Sequence, residues 1–162
     1  MTTLPPRLRP TTTRPAKGVI ARRSPDGPLR LTFDGDRVGC DDAPHFARLM
    51  RRSAEASVGH PGGELADTFL HPLRDWCADR HERVRACYVV PHARRLNVCV
   101  LARDDRYDYA LGMAAATLSR ELFQAGWRNL ILQVPADAAP FVAGADAMLV
   151  YESEGPPPPQ EG

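Results

Sequence analysis

The fold class follows from residues Val84–Val134, VRACYVVPHARRLNVCVLARDDRYDYALGMAAATLSRELFQAGWRNLILQV. The alternation of apolar and other residues that is typical of half-buried strands occurs at 84–90, 96–102 and 130–134. A proline-containing turn separates the first two strands, and a helical pattern from about Tyr107 to Ala125 separates the second from the third. The order strand, strand, helix, strand predicts a β-β-α-β unit.

The predicted helix has one apolar stripe and a clear end. Leu111, Ala115, Leu118 and Leu122 recur at steps of three and four residues, so they share one face of a helix. Gly126 suits the left-handed position after the last turn, and the following residue is Trp127, as in a Schellman ending. These signals predict a helix that packs one face on the sheet.

We expect the two faces of the sheet to differ. One face of each strand is uniformly apolar and the other mixes polar with apolar residues, whereas sheets covered on both faces read as continuous apolar runs. The sequence therefore predicts an α+β protein, a two-layer sandwich with a mixed sheet, helices mainly on one face and an N-terminal hairpin. The mixed face is a candidate interaction surface made of Arg85, Asn97, Cys99, Leu101, Asn129, Ile131 and Gln133.

The segments around this unit complete the predicted domain. The N-terminal hairpin is expected to pair Leu29–Phe33 with residues 37–40 across the turn signal Asp34-Gly35. One helix is expected to end near Val58. A second, at about 64–82, should kink or break near His71 because Pro72 lies inside its pattern. A last strand is expected at 147–151.

Both ends of the chain differ in composition from its middle. Residues 1–28 contain six prolines and few large apolar side chains, and 152–162 include a run of four prolines. We therefore expect a disordered basic arm over 1–28, a single domain over 29–151, and a disordered, acidic, proline-rich tail over 152–162. Residues 1–30 carry seven basic residues against Asp26 alone, although the net charge of the whole chain is +1.

The basic arm and a basic stripe on the first predicted helix together predict weak nucleic-acid binding without sequence preference. The candidate contacts are Arg7, Arg9, Arg14, Lys17, Arg22, Arg23, Arg48, Arg51 and Arg52. A solvated arm and a solvated helix face are the simpler interpretation of the same residues, because no helix-turn-helix or RNA-binding signature accompanies them.

An acidic turn lies between the second predicted strand and the predicted helix. Asp104, Asp105 and Asp108 could bind a divalent cation through carboxylate oxygens. The simpler interpretation is that they cap the helix, because aspartate in a first turn accepts from free N–H groups and interacts favourably with the helix dipole.

Several motifs and targeting segments are absent from the sequence, and their absence limits the classes of function that we expect. The four cysteines form no CxxC pair, and neither a signal peptide nor a membrane-spanning run occurs, so we expect free thiols and a cytoplasmic protein. We expect no cofactor, because there is no phosphate-binding glycine loop, HExxH or GxSxG motif.

Three function hypotheses follow from these patterns. We favour a non-catalytic protein-interaction or adaptor domain whose partner is another protein or a second copy of this chain. The alternatives are a nucleic-acid-associated protein that uses the basic arm and a metal-dependent enzyme that uses the turn at 104–108.

Overall fold

The computed structural model describes residues 19–23, 27–33, 39–40, 42–58, 64–135, 144 and 146–153, which build one mixed sheet with helices. The strands are β1 (Val19–Arg23), β2 (Leu29–Phe33), β3 (Gly39–Cys40), β4 (Val84–His92), β5 (Arg95–Ala102), β6 (Asn129–Val134) and β7 (Met148–Glu152). The helices are α1 (Ala43–Ala54), α2 (His71–Asp79) and α3 (Tyr109–Gln124), and a π-helical turn, Ala66–Leu70, leads into α2. The predicted α+β class is confirmed.

The strands lie in the order β3-β1-β2-β7-β4-β5-β6. β4 pairs antiparallel with β5, and α3 connects β5 to its parallel neighbour β6, which confirms the β-β-α-β unit. β7 lies between β2 and β4, parallel to β2 and antiparallel to β4. Within the described residues β6 pairs with β5 alone, so β6 forms one edge of the sheet.

The β4–β5 connection is a two-residue turn with a strained centre. His92 pairs with Arg95, and Ala93 between them has φ of 53°. This left-handed conformation brings Cβ close to the backbone, so it is unfavourable for alanine and favourable for glycine.

The two ends of α3 confirm the capping signals. The carboxylate of Asp108 accepts a hydrogen bond from the backbone N–H of Leu111 at 3.0 Å, so Asp108 is the N-cap. At the other end Gly126 has φ of 109°, its N–H donates to the carbonyl of Phe123, and the N–H of Trp127 donates to the carbonyl of Leu122. These two bonds define the predicted Schellman ending.

Pro72 changes the helical geometry where the sequence predicts it. Pro72 has no N–H and its ring would clash with the carbonyl of Thr68 in a regular α-helix. The chain forms a π-helical turn up to Leu70, and the N–H of His71 donates to the carbonyl of Ala66. The α-helical hydrogen-bond pattern of α2 then starts at His71.

Two apolar clusters lie on opposite faces of the sheet. The larger contains the buried side chains of α1, α2 and α3 together with one face of the strands, among them Leu49, Leu73, Leu118, Val98 and Met148. The smaller consists of Ala86, Tyr88, Cys99, Leu101, Ala147 and Leu149, and it includes no residue of a described helix. The described helices therefore cover one face, as predicted.

Strict alternation along β4 predicts that Val84, Ala86, Tyr88 and Val90 share one face, and this prediction is wrong beyond Val84. Val84, Cys87 and Val89 belong to the larger cluster, whereas Ala86 and Tyr88 belong to the smaller one. The register with β5 shifts between Val84 and Ala86, and a bulge of this kind reverses the alternation after it.

The N-terminal hairpin is formed by other strands than the sequence predicts. β1 pairs antiparallel with β2, whereas β3 pairs in parallel with β1, and residues 34–38 lie outside the described chain. Because Val19–Arg23 is a strand, the predicted disordered arm over 1–28 is wrong for these residues. Residues 1–18 lie outside the described chain, and so do residues 154–162 of the predicted tail.

The C-terminal boundary also differs slightly from the prediction. β7 ends at Glu152, and the N–H of Ser153 donates to the carbonyl of Arg85 at 2.9 Å.

Among the described helices, none has the length and apolar character that crossing a membrane requires.

Candidate functional site

The three carboxylates of the acidic turn serve separate structural roles. Asp108 caps α3 and accepts two hydrogen bonds from Nη1 of Arg83, at 2.7 and 2.9 Å. Asp104 accepts from the backbone N–H of Arg106 at 3.1 Å, which closes a turn exposed to water. Within the described residues, no three acidic, histidine or cysteine side chains come together in a metal-binding arrangement. Asp104, Asp105 and Asp108 are therefore not gathered into such an arrangement in the described chain, and cation binding there stays a prediction.

The candidate nucleic-acid contacts are only partly within the described chain. Arg7, Arg9, Arg14 and Lys17 lie outside it, as does the side chain of Arg23, and Arg22 is exposed on β1. On α1, Arg51 is exposed, whereas Arg48 and Arg52 lie 3.4 and 3.7 Å from the carboxylate of Asp146. Asp146 thus neutralises part of the predicted basic stripe.

The seven residues of the predicted interaction face do not share one face. Cys99 and Leu101 are buried in the smaller cluster, whereas Ile131 packs against the larger one. Arg85 is exposed, and the side chain of Asn97 accepts from Arg95. Asn129 and Gln133 bond to α3 and its cap, so the single mixed face expected from the sequence is wrong.

Asn129 and Gln133 bind α3 to β6 at both ends of the strand. The Oγ of Ser119 lies 2.7 Å from Oδ1 of Asn129, whose Nδ2 donates to the carbonyl of Ser119 at 3.1 Å. Gln133 accepts from the N–H of Asp108 at 2.8 Å and donates to its carbonyl at 3.1 Å. These amides satisfy polar groups between helix and strand, so they serve the fold and are not free for a partner.

The structure brings together a different set of residues, which the sequence analysis missed. The large hydrophobic side chains that remain well exposed in the described chain all lie on the segment from α3's N-terminal turn to β6. They are Tyr107, Tyr109, Met113, Phe123, Leu130 and Leu132. Tyr109 and Met113 are 78% and 73% exposed, and Leu132 on the edge strand is 45% exposed. We call this surface, with the free edge of β6, the α3–β6 edge.

A shallow groove runs along the α3–β6 edge. Its volume is about 240 Å³, and it is lined by Tyr107, Gly112, Ala115, Ala116, Ser119, Leu130, Ile131 and Gln133. None of these side chains is charged. A Cβ built on Gly112 would overlap the hydroxyl of Tyr107, so the glycine lets this ring lie against the helix. The ring of Tyr107 also meets that of Tyr109 edge to face, with 4.9 Å between centroids.

The buried thiols and the sheet tyrosines show no activated nucleophile. A hydrogen bond with Cys77, together with complete burial, raises the pKa of Cys87 well above its usual range. Burial also raises the pKa of Cys99, of Tyr88 and of Tyr151. Each of these groups is held in its neutral form, whereas a reactive thiol needs a lowered pKa.

Comparisons with known proteins add no assignment to this geometry, because no family model, no curated protein and no solved structure matches the chain. No signal in the sequence identifies β6 as the edge. Edge strands commonly carry charged residues or proline, whereas Asn129–Val134 has neither and so resembles a central strand.

Proposed function

We propose that the chain is a non-catalytic protein-interaction domain that binds polypeptide at the α3–β6 edge. The observation that supports this is the gathering of the exposed large hydrophobic side chains on one helix flank and one free strand. Tyr107 contacts Tyr109 and lines one groove with Leu130, and exposed apolar side chains that adjoin in this way mark interaction sites, whereas scattered single side chains do not.

The free edge favours an extended partner segment. An edge strand presents unpaired N–H and C=O groups, and an added strand can bond to them while its side chains alternate between two faces. A partner strand paired with β6 would place one set of its side chains in the groove beside α3 and the other set against Leu130 and Leu132.

The uncharged groove also favours protein over nucleic acid at this surface. Affinity for the phosphate backbone comes mainly from the positive charge of Lys and Arg, and no lysine or arginine side chain lines the groove. The free thiols of the described chain suit a reducing compartment, so we propose a cytoplasmic location.

Selection of a phage-displayed random peptide library on the full chain tests the proposed function. We expect enriched extended peptides that slow hydrogen exchange at the amides of 129–134. Leu132→Lys should abolish their binding, because it places a charge on the edge strand. Thr117→Lys, an exposed position on α3 away from the groove, is the matched control and should bind normally. Failure of a monomeric chain to enrich any peptide, or protection confined to another surface, would refute the proposal.

A further inference from the structure

The edge strand has the features of a strand that pairs with its own copy. Native proteins protect exposed edges with charges, prolines or bulges, yet β6 has none of these over Asn129–Val134, and Leu130 and Leu132 are exposed on it. We propose that the partner at the α3–β6 edge is a second copy of this chain, paired antiparallel through β6 about a two-fold axis. This inference rests on the proposed function and specifies its partner.

Symmetry restricts the register of the pair. A two-fold axis perpendicular to the sheet keeps each side chain on its own face, so directly opposite residues must face the same way. Ile131 faces the helices, whereas Leu130 and Leu132 face away from them. Pairing Ile131 with its counterpart sets Leu130 opposite Leu132 of the second copy, and Leu132 opposite Leu130. This register covers both exposed leucines with apolar cross-strand neighbours.

A neutral strand makes self-pairing possible, and the flanking charges favour the antiparallel direction. Arg95 and Arg128 are exposed where β6 begins, since Arg95 precedes the pairing of Leu96 with Asn129. Asp104 and Asp105 are exposed where β6 ends and share a small cavity with Gln133 and Val134. Exposed Arg106 lines the same cavity, so its guanidinium offsets one of the two carboxylates and a single negative charge remains. Antiparallel pairing brings the basic end of one copy to the acidic end of the other. Parallel pairing would place like charges together. Such rim charges select orientation more than they add affinity.

The helix flank above the edge also accommodates a second copy. The axis leaves both α3 helices on the same face, side by side above the new strand pair. The flank of α3 that lines the groove carries Ala116 and Ser119, whose small side chains allow a second helix to approach, whereas the ring of Tyr107 already covers Gly112.

Sedimentation velocity of the full chain over a wide concentration range tests the dimer. We expect a reversible species of twice the 17.8 kDa chain mass. Leu132→Lys should weaken it by about 100-fold, because a tenfold loss per site occurs twice in a two-fold pair. Thr117→Lys should leave it unchanged, and circular dichroism should show that both variants are folded. A monomer at every concentration, or a dimer that Leu132→Lys does not weaken, would overturn the inference.

Oxidative cross-linking tests the register. Leu130→Cys and Leu132→Cys are each made with Cys40→Ser, which removes the exposed native thiol. A mixture of the two chains should cross-link faster than either chain alone, because position 130 lies opposite position 132 of the second copy. Faster cross-linking of Leu132→Cys with itself would overturn this register.

The two experiments separate the inference from the proposed function. Library peptides that protect 129–134 of a strictly monomeric chain would overturn the self-pairing and leave an interaction domain for a different partner. Peptides that dissociate the dimer would support both proposals. A chain that is monomeric and also enriches no peptide would overturn both.

Discussion

The side chain of Asp108 both caps α3 and pairs with Arg83. Replacing it with alanine or asparagine therefore distinguishes the contribution of the helix cap to stability from that of the ion pair. Its carboxylate accepts from the N–H of Leu111 and from Nη1 of Arg83, and its side chain is 20% exposed. The bonds between its backbone and Gln133 do not use the side chain, so substitution leaves them intact.

The expected magnitudes follow from these contacts. Loss of an N-cap to alanine costs about 1 kcal/mol, whereas asparagine caps almost as well as aspartate. Arg83 is 51% exposed, so solvent screens the ion pair and limits its contribution to below about 1 kcal/mol. We therefore expect Asp108→Ala to lower the free energy of unfolding by about 1–2 kcal/mol, and Asp108→Asn by less than about 1 kcal/mol.

Urea denaturation of both variants, each with and without Arg83→Ala, measures the two contributions as a double-mutant cycle. The coupling energy between Asp108 and Arg83 should be small, and the difference between the alanine and asparagine variants should persist without Arg83. Equal destabilisation by alanine and asparagine would refute the capping argument and assign the stability to the charge.

Four further predictions concern other parts of the fold. Ala93→Gly should raise the urea midpoint by removing left-handed strain from the β4–β5 turn, a gain of up to about 1 kcal/mol; a lower midpoint would contradict this. Gly126→Ala should destabilise the chain by about 1–2 kcal/mol in the same assay, because φ of 109° at Gly126 is unfavourable for a residue with a Cβ. Cys40 should react rapidly with a thiol reagent in the native protein, whereas Cys77, Cys87 and Cys99 should react only on unfolding. Folding raises the pKa values of Cys87 and Cys99, so their contribution to stability is complete below the usual thiol pKa of about 8.5. As the pH rises above that value, the free energy of unfolding should fall, because the native state holds these protons more tightly than the unfolded state. Urea midpoints that stay constant into the alkaline range would contradict this.

The elements that sequence reasoning predicted correctly depend on neighbours along the chain. The stripe on α3 repeats every three to four residues, Asp108 lies three residues before the N–H that it caps, and the Schellman bonds span five residues or fewer. Pro72 acts on the turn directly before it. Such interactions form within a helix or its first and last turns, so a local pattern is sufficient to predict them.

Strand faces and pairings needed the tertiary structure. A shift in the β4 register reversed the faces of Ala86 and Tyr88, and the continuous apolar run at 86–90 gives no sign of it. Local sequence patterns did not predict β1, which lies in a proline-rich, basic segment, because its burial depends on pairing with β2. Asn129 and Gln133 look like solvent-facing residues until α3 is placed above them and satisfies their amides.

The α3–β6 edge shows the same division. The amino-acid sequence by itself determined that Asn129–Val134 is uncharged and extended, and that Tyr107, Tyr109 and Met113 lie near or on a helix but outside its apolar stripe. Only the tertiary structure decided that β6 lies at the edge of the sheet and that Tyr107 and Leu130 line one groove there. The physical reason is that an edge is defined by which strand has no further neighbour, and strand order results from contacts between residues distant in the chain.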